Sequence, residues 1–156
     1  DVCTRTCAFC DIKHGKPGLL DWGEAERVAQ AVKAMELKHA VITSVNRDDR
    51  PDGGAAIFAA TVREIRARVP GCAVEVLVPD FDGRAESLEL VLGGQPDVFN
   101  HNVETVARLY PAVRRSGRYR WALEVIARVA ARGNGTITKS GLMRNSLPGD
   151  APGACE

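Results

Sequence analysis

The sequence has no long apolar run, no excess of either charge, and too little cysteine for a disulfide framework. No stretch approaches the roughly 18 consecutive apolar residues of a membrane helix, and no secretory apolar segment opens the chain. Lys and Arg number 21 against 20 Asp and Glu, for a net charge of +1. That balance argues against a basic nucleic-acid module and against a polybasic membrane binder. Five cysteines in 156 residues fall short of the about 8–10% of a disulfide scaffold. Their number is odd, and three of them sit between residues 3 and 10. This pattern points to metal or redox chemistry in a reducing compartment, hence the cytoplasm. The apolar fraction of 45% excludes a disordered chain, and 156 residues suffice for one domain with its own core. The chain opens at Asp1 rather than a methionine, with its first motif at residue 3. That reads as a fragment or a processed chain.

Short β-rich runs alternate with amphipathic stretches. Asp21, with Glu24 three residues on, reads as a capping box opening a helix over 24–37. Val28, Val32 and Met35 give its apolar face. Ala40 to Thr43 reads as a strand. Asp52-Gly53-Gly54 opens a helix with Phe58, Val62, Ile65 and Val69 on one face, stopped by Pro70-Gly71. A strand over 74–78 follows, then a short helix marked by Leu88, Val91 and Leu92, and a strand over 97–100. Val103 to Leu109 reads as helical, broken at Pro111. Tyr119, Leu123, Ile126 and Ala130 mark another helix face, and 136–138 begins a further strand. Trp22 and Trp121 read as packing residues, and Cys72 as a buried thiol. Residues 144–156 hold two Pro and two Gly without periodicity and read as a disordered tail. The alternation implies βαβ units around a parallel sheet, with no internal repeat and no interdomain linker.

Polar clusters follow the strands: Ser44 to Asp49, Asp80 to Asp82, His101-Asn102 with Glu104, and Lys139-Ser140. In parallel α/β folds the strand C-termini share one face, where ligands bind. A single such cluster is ordinary loop solvation, but four at one address make a site. Cys3, Cys7 and Cys10 add a C-x3-C-x2-C motif. Three soft thiolates on one short loop suit an iron–sulfur cluster or zinc. Structural zinc usually takes four ligands, and no second pair accompanies these three. A cubane held by three cysteines leaves one iron open for a small-molecule chelator.

This motif, with Phe9 before its last cysteine, resembles the signature of radical S-adenosylmethionine (SAM) enzymes. In that superfamily the three cysteines hold a [4Fe–4S] cluster whose fourth iron takes the amino and carboxylate groups of SAM. Reduction cleaves SAM to a 5′-deoxyadenosyl radical, and the protein positions and shields that chemistry. Further blocks resemble the lipoyl synthase family: Asp1 to Cys10 with Gly15-Lys16-Pro17, Val41 to Asp49 with Pro51 to Ala55, Glu75 to Phe81, Pro96 to Thr105, and Thr138 to Met143. The resemblance covers residues 1 to about 143.

It implies an α/β fold: a partial, truncated parallel (β/α) barrel over 1–143, with the tail at 144–156 outside it. It also implies sulfur insertion into a protein-bound octanoyl chain to form the lipoyl cofactor. The partners would be an octanoylated lipoyl carrier domain and an electron donor such as ferredoxin or flavodoxin. Cys3, Cys7 and Cys10 would ligate the cluster. The backbone of Phe9 would approach the adenine. Ser44, Asn46, Arg47 and Asp48 would line the SAM or substrate pocket. Asn102 and Glu104 would bond the ribose hydroxyls, and Lys139 would pair with the SAM carboxylate. The plainer roles for some of these residues are a surface ion pair for Arg47 with Asp48 or Asp49 and a satisfied structural histidine for His101.

The family also carries a second, auxiliary [4Fe–4S] cluster as sulfur source. Its cysteines would precede Cys3 and are absent here, and the match stops abruptly after Met143. This chain alone is therefore not expected to be competent. The alternatives are a radical SAM enzyme without an auxiliary cluster, or a non-catalytic remnant.

Overall fold

The computed structural model describes residues 2–133 and 135–143. Four strands, β1 (His39–Thr43), β2 (Ala73–Leu77), β3 (Val98–Asn100) and β4 (Ile137–Lys139), form one sheet in the order β1-β2-β3-β4. Every neighbouring pair is parallel. Five helices accompany them: α1 (Glu24–Ala34), α2 (Ala55–Arg68), α3 (Ala85–Leu92), α4 (Tyr110–Val113) and α5 (Tyr119–Ala131). Right-handed crossovers that always add the next strand on the same side put all the helices on one face. A doubly wound sheet reverses its order and carries helices on both faces. This sheet does not reverse, so it is an arc of a (β/α) barrel.

The core lies between that face and the helices. Val74, Val76 and Phe99 of the sheet meet Phe58, Val62 and Ile65 of α2, Leu88 and Val91 of α3, and Val125 and Val129 of α5. Each large apolar side chain buried this fully contributes roughly 1.5–3 kcal/mol of transfer free energy. On the other face, Val41, Glu75, Val98 and Ile137 share one register row. Thr43, Leu77, Asn100 and Lys139 share the next. Among the described residues no helix covers this face, and Val41 and Ile137 are 52% and 64% exposed.

The α2 reading holds, down to the Asp52 carboxylate accepting the N–H groups of Gly54 and Ala56. Cys72 is buried. Five readings change. The capping box does not form. The helix starts at Glu24 with Gly23 at its N-cap, because the Asp21 carboxylate accepts from the Gly23 N–H and binds Arg27 instead. Its C-terminus comes early, at Ala34, where Glu36 takes φ 52 and ends the turn. Residues 103–106 are not helical. Glu104 has φ 69 and bridges to Leu142, so regular helix begins only at Tyr110, with Pro111 in its first turn. On α5 the buried residues are Ala122, Val125 and Val129, while Leu123 is exposed. Trp22 is 57% exposed rather than packed. The tail 144–156 lies outside the described residues.

Candidate functional site

The cysteine motif lies on a loop ahead of α1 that its own backbone and the strand ends hold in place. The Cys3 N–H donates to the Lys13 carbonyl at 2.8 Å, and the Gly15 N–H donates to the Cys3 carbonyl at 2.9 Å. The Cys10 N–H closes a turn on the Cys7 carbonyl. The Ala8 N–H donates to the carbonyl of Val113, the last residue of α4. Thr4 ties the loop to the segment after β1. Its N–H and hydroxyl both donate to the Asn46 carbonyl, and its oxygen accepts the Asp48 N–H at 3.1 Å.

Beneath the loop, Arg5 is buried, with only 3% of its surface exposed. Its Nε and Nη2 fork onto the Asp48 carboxylate, both at 2.8 Å. Nη1 donates to Asp80 at 2.8 Å, and Nη2 also reaches Asp82 at 2.7 Å. Arg84 pairs with Asp82 at 3.2 Å, and Arg114 approaches Asp80 at 3.9 Å. Three guanidinium groups thus face three carboxylates. Burial alone would lower the Arg5 pKa, but the bonds to Asp48 and Asp80 outweigh it and hold the group firmly charged. Burial likewise pushes Asp80 up, and its bond and charge contact with Arg5 bring it below the usual carboxylate value.

Asp80 and Asp82 flank a tight turn after β2. Phe81 (φ 48) and Asp82 (φ 54) are both left-handed, a conformation that costs about 1–3 kcal/mol per non-glycine residue. Phe81 is buried edge-on to Phe58, 6.4 Å between ring centres. A side chain at Gly53 would meet the Phe81 ring at 2.9 Å, so glycine is required for this approach.

A cleft of about 1130 Å³ opens beside the loop. Cys3, Cys7, Cys10 and Phe9 line it, as do Ser44, Asn46 and Arg47 from the end of β1, and Glu104. Cys3 and Cys7 are half-buried and Cys10 is exposed. Burial raises the Cys7 thiol pKa, with Arg114 acting against it. Glu104 is likewise raised by burial, with Arg114 and neighbouring Asn102 acting against it. The side chain at Asn102 leaves no room at residue 141, where a Cβ would lie 2.6 Å from its oxygen.

The remaining candidates are engaged elsewhere. Asp48 faces Arg5. Arg47 pairs with Asp49 at 2.8 Å, not with Asp48. The Lys139 ammonium lies on the uncovered sheet face, 3.0 Å from buried Glu75. Glu75 also accepts the Asn100 side-chain N–H, and these bonds hold it below the usual carboxylate value despite its burial. His101 is buried, and its Nδ1–H donates to the Val78 carbonyl at 2.7 Å. Its Nε2 has no partner among the described residues, so the reading of a satisfied histidine holds for one nitrogen only. Arg5 is the residue that sequence reasoning missed. A lone arginine between cysteines looks solvated, and its signal lay in three aspartates placed after two strands.

Among the described residues, no three His, Cys, Asp or Glu side chains converge where a single metal ion could sit. Thiols that share a cubane bind different irons and need not converge on one point. Three soft donors on one loop, beside an open cleft, fit such a cluster and leave it an iron free for a small molecule.

A one-sided parallel arc with a three-cysteine loop at the strand ends defines a class: the chain belongs to the radical SAM superfamily, which matches residues 1–144. That family implies a [4Fe–4S] cluster and SAM. The curated relatives it resembles in sequence are named lipoyl synthases. The chain is 57% identical to the lipoyl synthase of Rubrobacter xylanophilus over 143 residues, covering 92% of this chain and 44% of that protein. It is 53% identical to that of a Roseiflexus species, covering 92% of this chain and 48% of that one. It is 52% identical to that of Methylococcus capsulatus, covering 92% and 45%. The chain therefore spans less than half the length of these curated relatives. The resemblance drawn from the sequence blocks is borne out. In fold, it is similar to methylornithine synthase, with a TM-score of 0.65 at 13% identity, over 93% of this chain and 42% of that one.

Proposed function

We propose that this chain carries the radical-generating part of a lipoyl synthase, with Cys3, Cys7 and Cys10 ligating a [4Fe–4S] cluster. The observation that carries this reading is the placement of all three thiols on one loop along one cleft at the strand ends. When bound and reduced, the cluster and SAM supply the radical that removes hydrogen from an unactivated carbon. The chain's own residues bind and orient. Ser44, Asn46 and Arg47 form the wall beyond β1, and Arg47 is steadied by Asp49. The Phe9 backbone would approach the adenine. Asn102 and Glu104, close neighbours in the chain, would offer an amide and a carboxylate to the ribose hydroxyls. Asp48 serves through Arg5 and the loop. Lys139, bonded to Glu75, serves the SAM carboxylate only by leaving that partner.

The substrate is an octanoyl chain on a lipoyl carrier domain, and the product of sulfur insertion is the lipoyl group. The sulfur would come from an auxiliary [4Fe–4S] cluster, whose ligands are not among these residues. The electron donor is of the ferredoxin or flavodoxin kind, and the reducing cytoplasm suits free thiols. Anaerobic iron–sulfide reconstitution tests the reading: one cluster of about four irons per chain is expected, and about eight would overturn it. Reduction with SAM should then release 5′-deoxyadenosine, without lipoyl product from this chain alone.

A further inference from the structure

The residue that most firmly fixes the cysteine loop carries no thiol. Arg5 stands between Cys3 and Cys7, its backbone N–H reaches the Cys3 sulfur at 3.4 Å, and its guanidinium is buried among carboxylates from two different βα loops. Asp48 comes from the segment after β1. Asp80 and Asp82 come from the strained turn after β2, whose two left-handed residues hold both carboxylates toward one point. A planar guanidinium matches such a cage through its fixed fork, which a lysine ammonium cannot reproduce.

We propose that Arg5 is a positioning residue for the cluster. It pins the loop to the ends of β1 and β2, so that Cys3 and Cys7 are presented as a preformed pair instead of being gathered by the incoming iron. The proposal rests on the assignment of Cys3, Cys7 and Cys10 as ligands. A metal-binding loop held this way loses metal faster when its support is cut, even with every ligand in place.

The experiment compares the wild-type chain with Arg5→Lys and Asp82→Asn. Each apo form is first checked by far-UV circular dichroism and thermal melting. Each is then reconstituted anaerobically with iron and sulfide. Two quantities are read: the rate of iron loss to a ferrous chelator, and the electron paramagnetic resonance signal of the reduced cluster. With about four irons on the wild type, Arg5→Lys should lose iron about 10- to 100-fold faster and shift the signal, with wild-type circular dichroism. Asp82→Asn, which removes a carboxylate at the rim of the cage (30% exposed), should fall between the two. Iron loss within about twofold of wild type and an unchanged signal in both variants would overturn the positioning role and leave the ligand assignment standing. A wild type that takes up no cluster overturns the ligand assignment and this proposal together. If Arg5→Lys does not fold, Asp82→Asn decides by the same two readouts.

Discussion

Acidification from pH 7 to pH 5 should destabilise the fold mainly through His101. Burial pushes its pKa down to about 4 from the usual 6.5, the Val78 carbonyl acts against that, and nearby Arg114 adds to it. A folded-state value below the unfolded one means that the unfolded chain takes the proton first as pH falls. The stability contributed by the neutral ring is full above about pH 6.5 and is lost progressively down to about pH 4. At pH 5 the loss comes to about 2 kcal/mol, a large part of a typical domain's net stability.

Other groups titrate nearby, and their signs differ. Glu104, raised by burial, binds its proton first in the folded state and opposes the trend. Asp80 and Glu75 are depressed, so their contributions fade only as pH falls below the ordinary carboxylate values. Subtracting a variant isolates the histidine. His101→Gln cannot take up a proton, and it keeps an amide N–H for the Val78 carbonyl. Urea unfolding followed by circular dichroism at pH 7, 6 and 5 should show the wild type losing about 2 kcal/mol more than the variant. Parallel losses in the two proteins would refute the reasoning.

Gly141→Ala places a methyl group 2.6 Å from the Asn102 side-chain oxygen. It should cost about 1–3 kcal/mol by thermal melting and should disturb Asn102 and Glu104 enough to weaken SAM binding by calorimetry. Removal of thiols separates structural from ligand roles: Cys7→Ala should reduce the iron held after reconstitution. Cys72→Ala, in the core behind β2, should keep wild-type iron and lose only about 1 kcal/mol of stability.

The parts of the fold legible in the sequence were those written in large apolar residues. Phe58, Val62 and Ile65 announce α2, and Val74 with Val76 announces β2. Where alanine does the packing, the pattern fades. Ala25 and Ala29 on α1, and Ala122 on α5, are buried but carry too little apolar surface to set a face, so α5 reads one position out of phase. The stretch from Val103 to Leu109 has helical spacing, yet the Glu104–Leu142 bridge pulls its first half, Val103 to Val106, out of the helix and leaves only a 3-10 turn at Ala107–Leu109, and that bridge depends on residues nearly forty positions apart. The site showed the same division. Thiols and the polar residues after strands stand out by type and position. Arg5 does not, because its meaning lies in Asp48, Asp80 and Asp82, which only the folded chain brings to it.

The Glu75–Asn100–Lys139 strip has a consequence for how the strands align. Its three side chains come from three successive strands, and Asn100 and Lys139 are register partners. A slip of β4 by one residue would turn Thr138 or Ser140 toward Glu75 in place of the lysine, leaving a buried carboxylate without its cation. At only three residues, β4 has few backbone bonds to choose its own alignment. The strip therefore works as a key cut across the sheet, with one position of the last strand in which it turns.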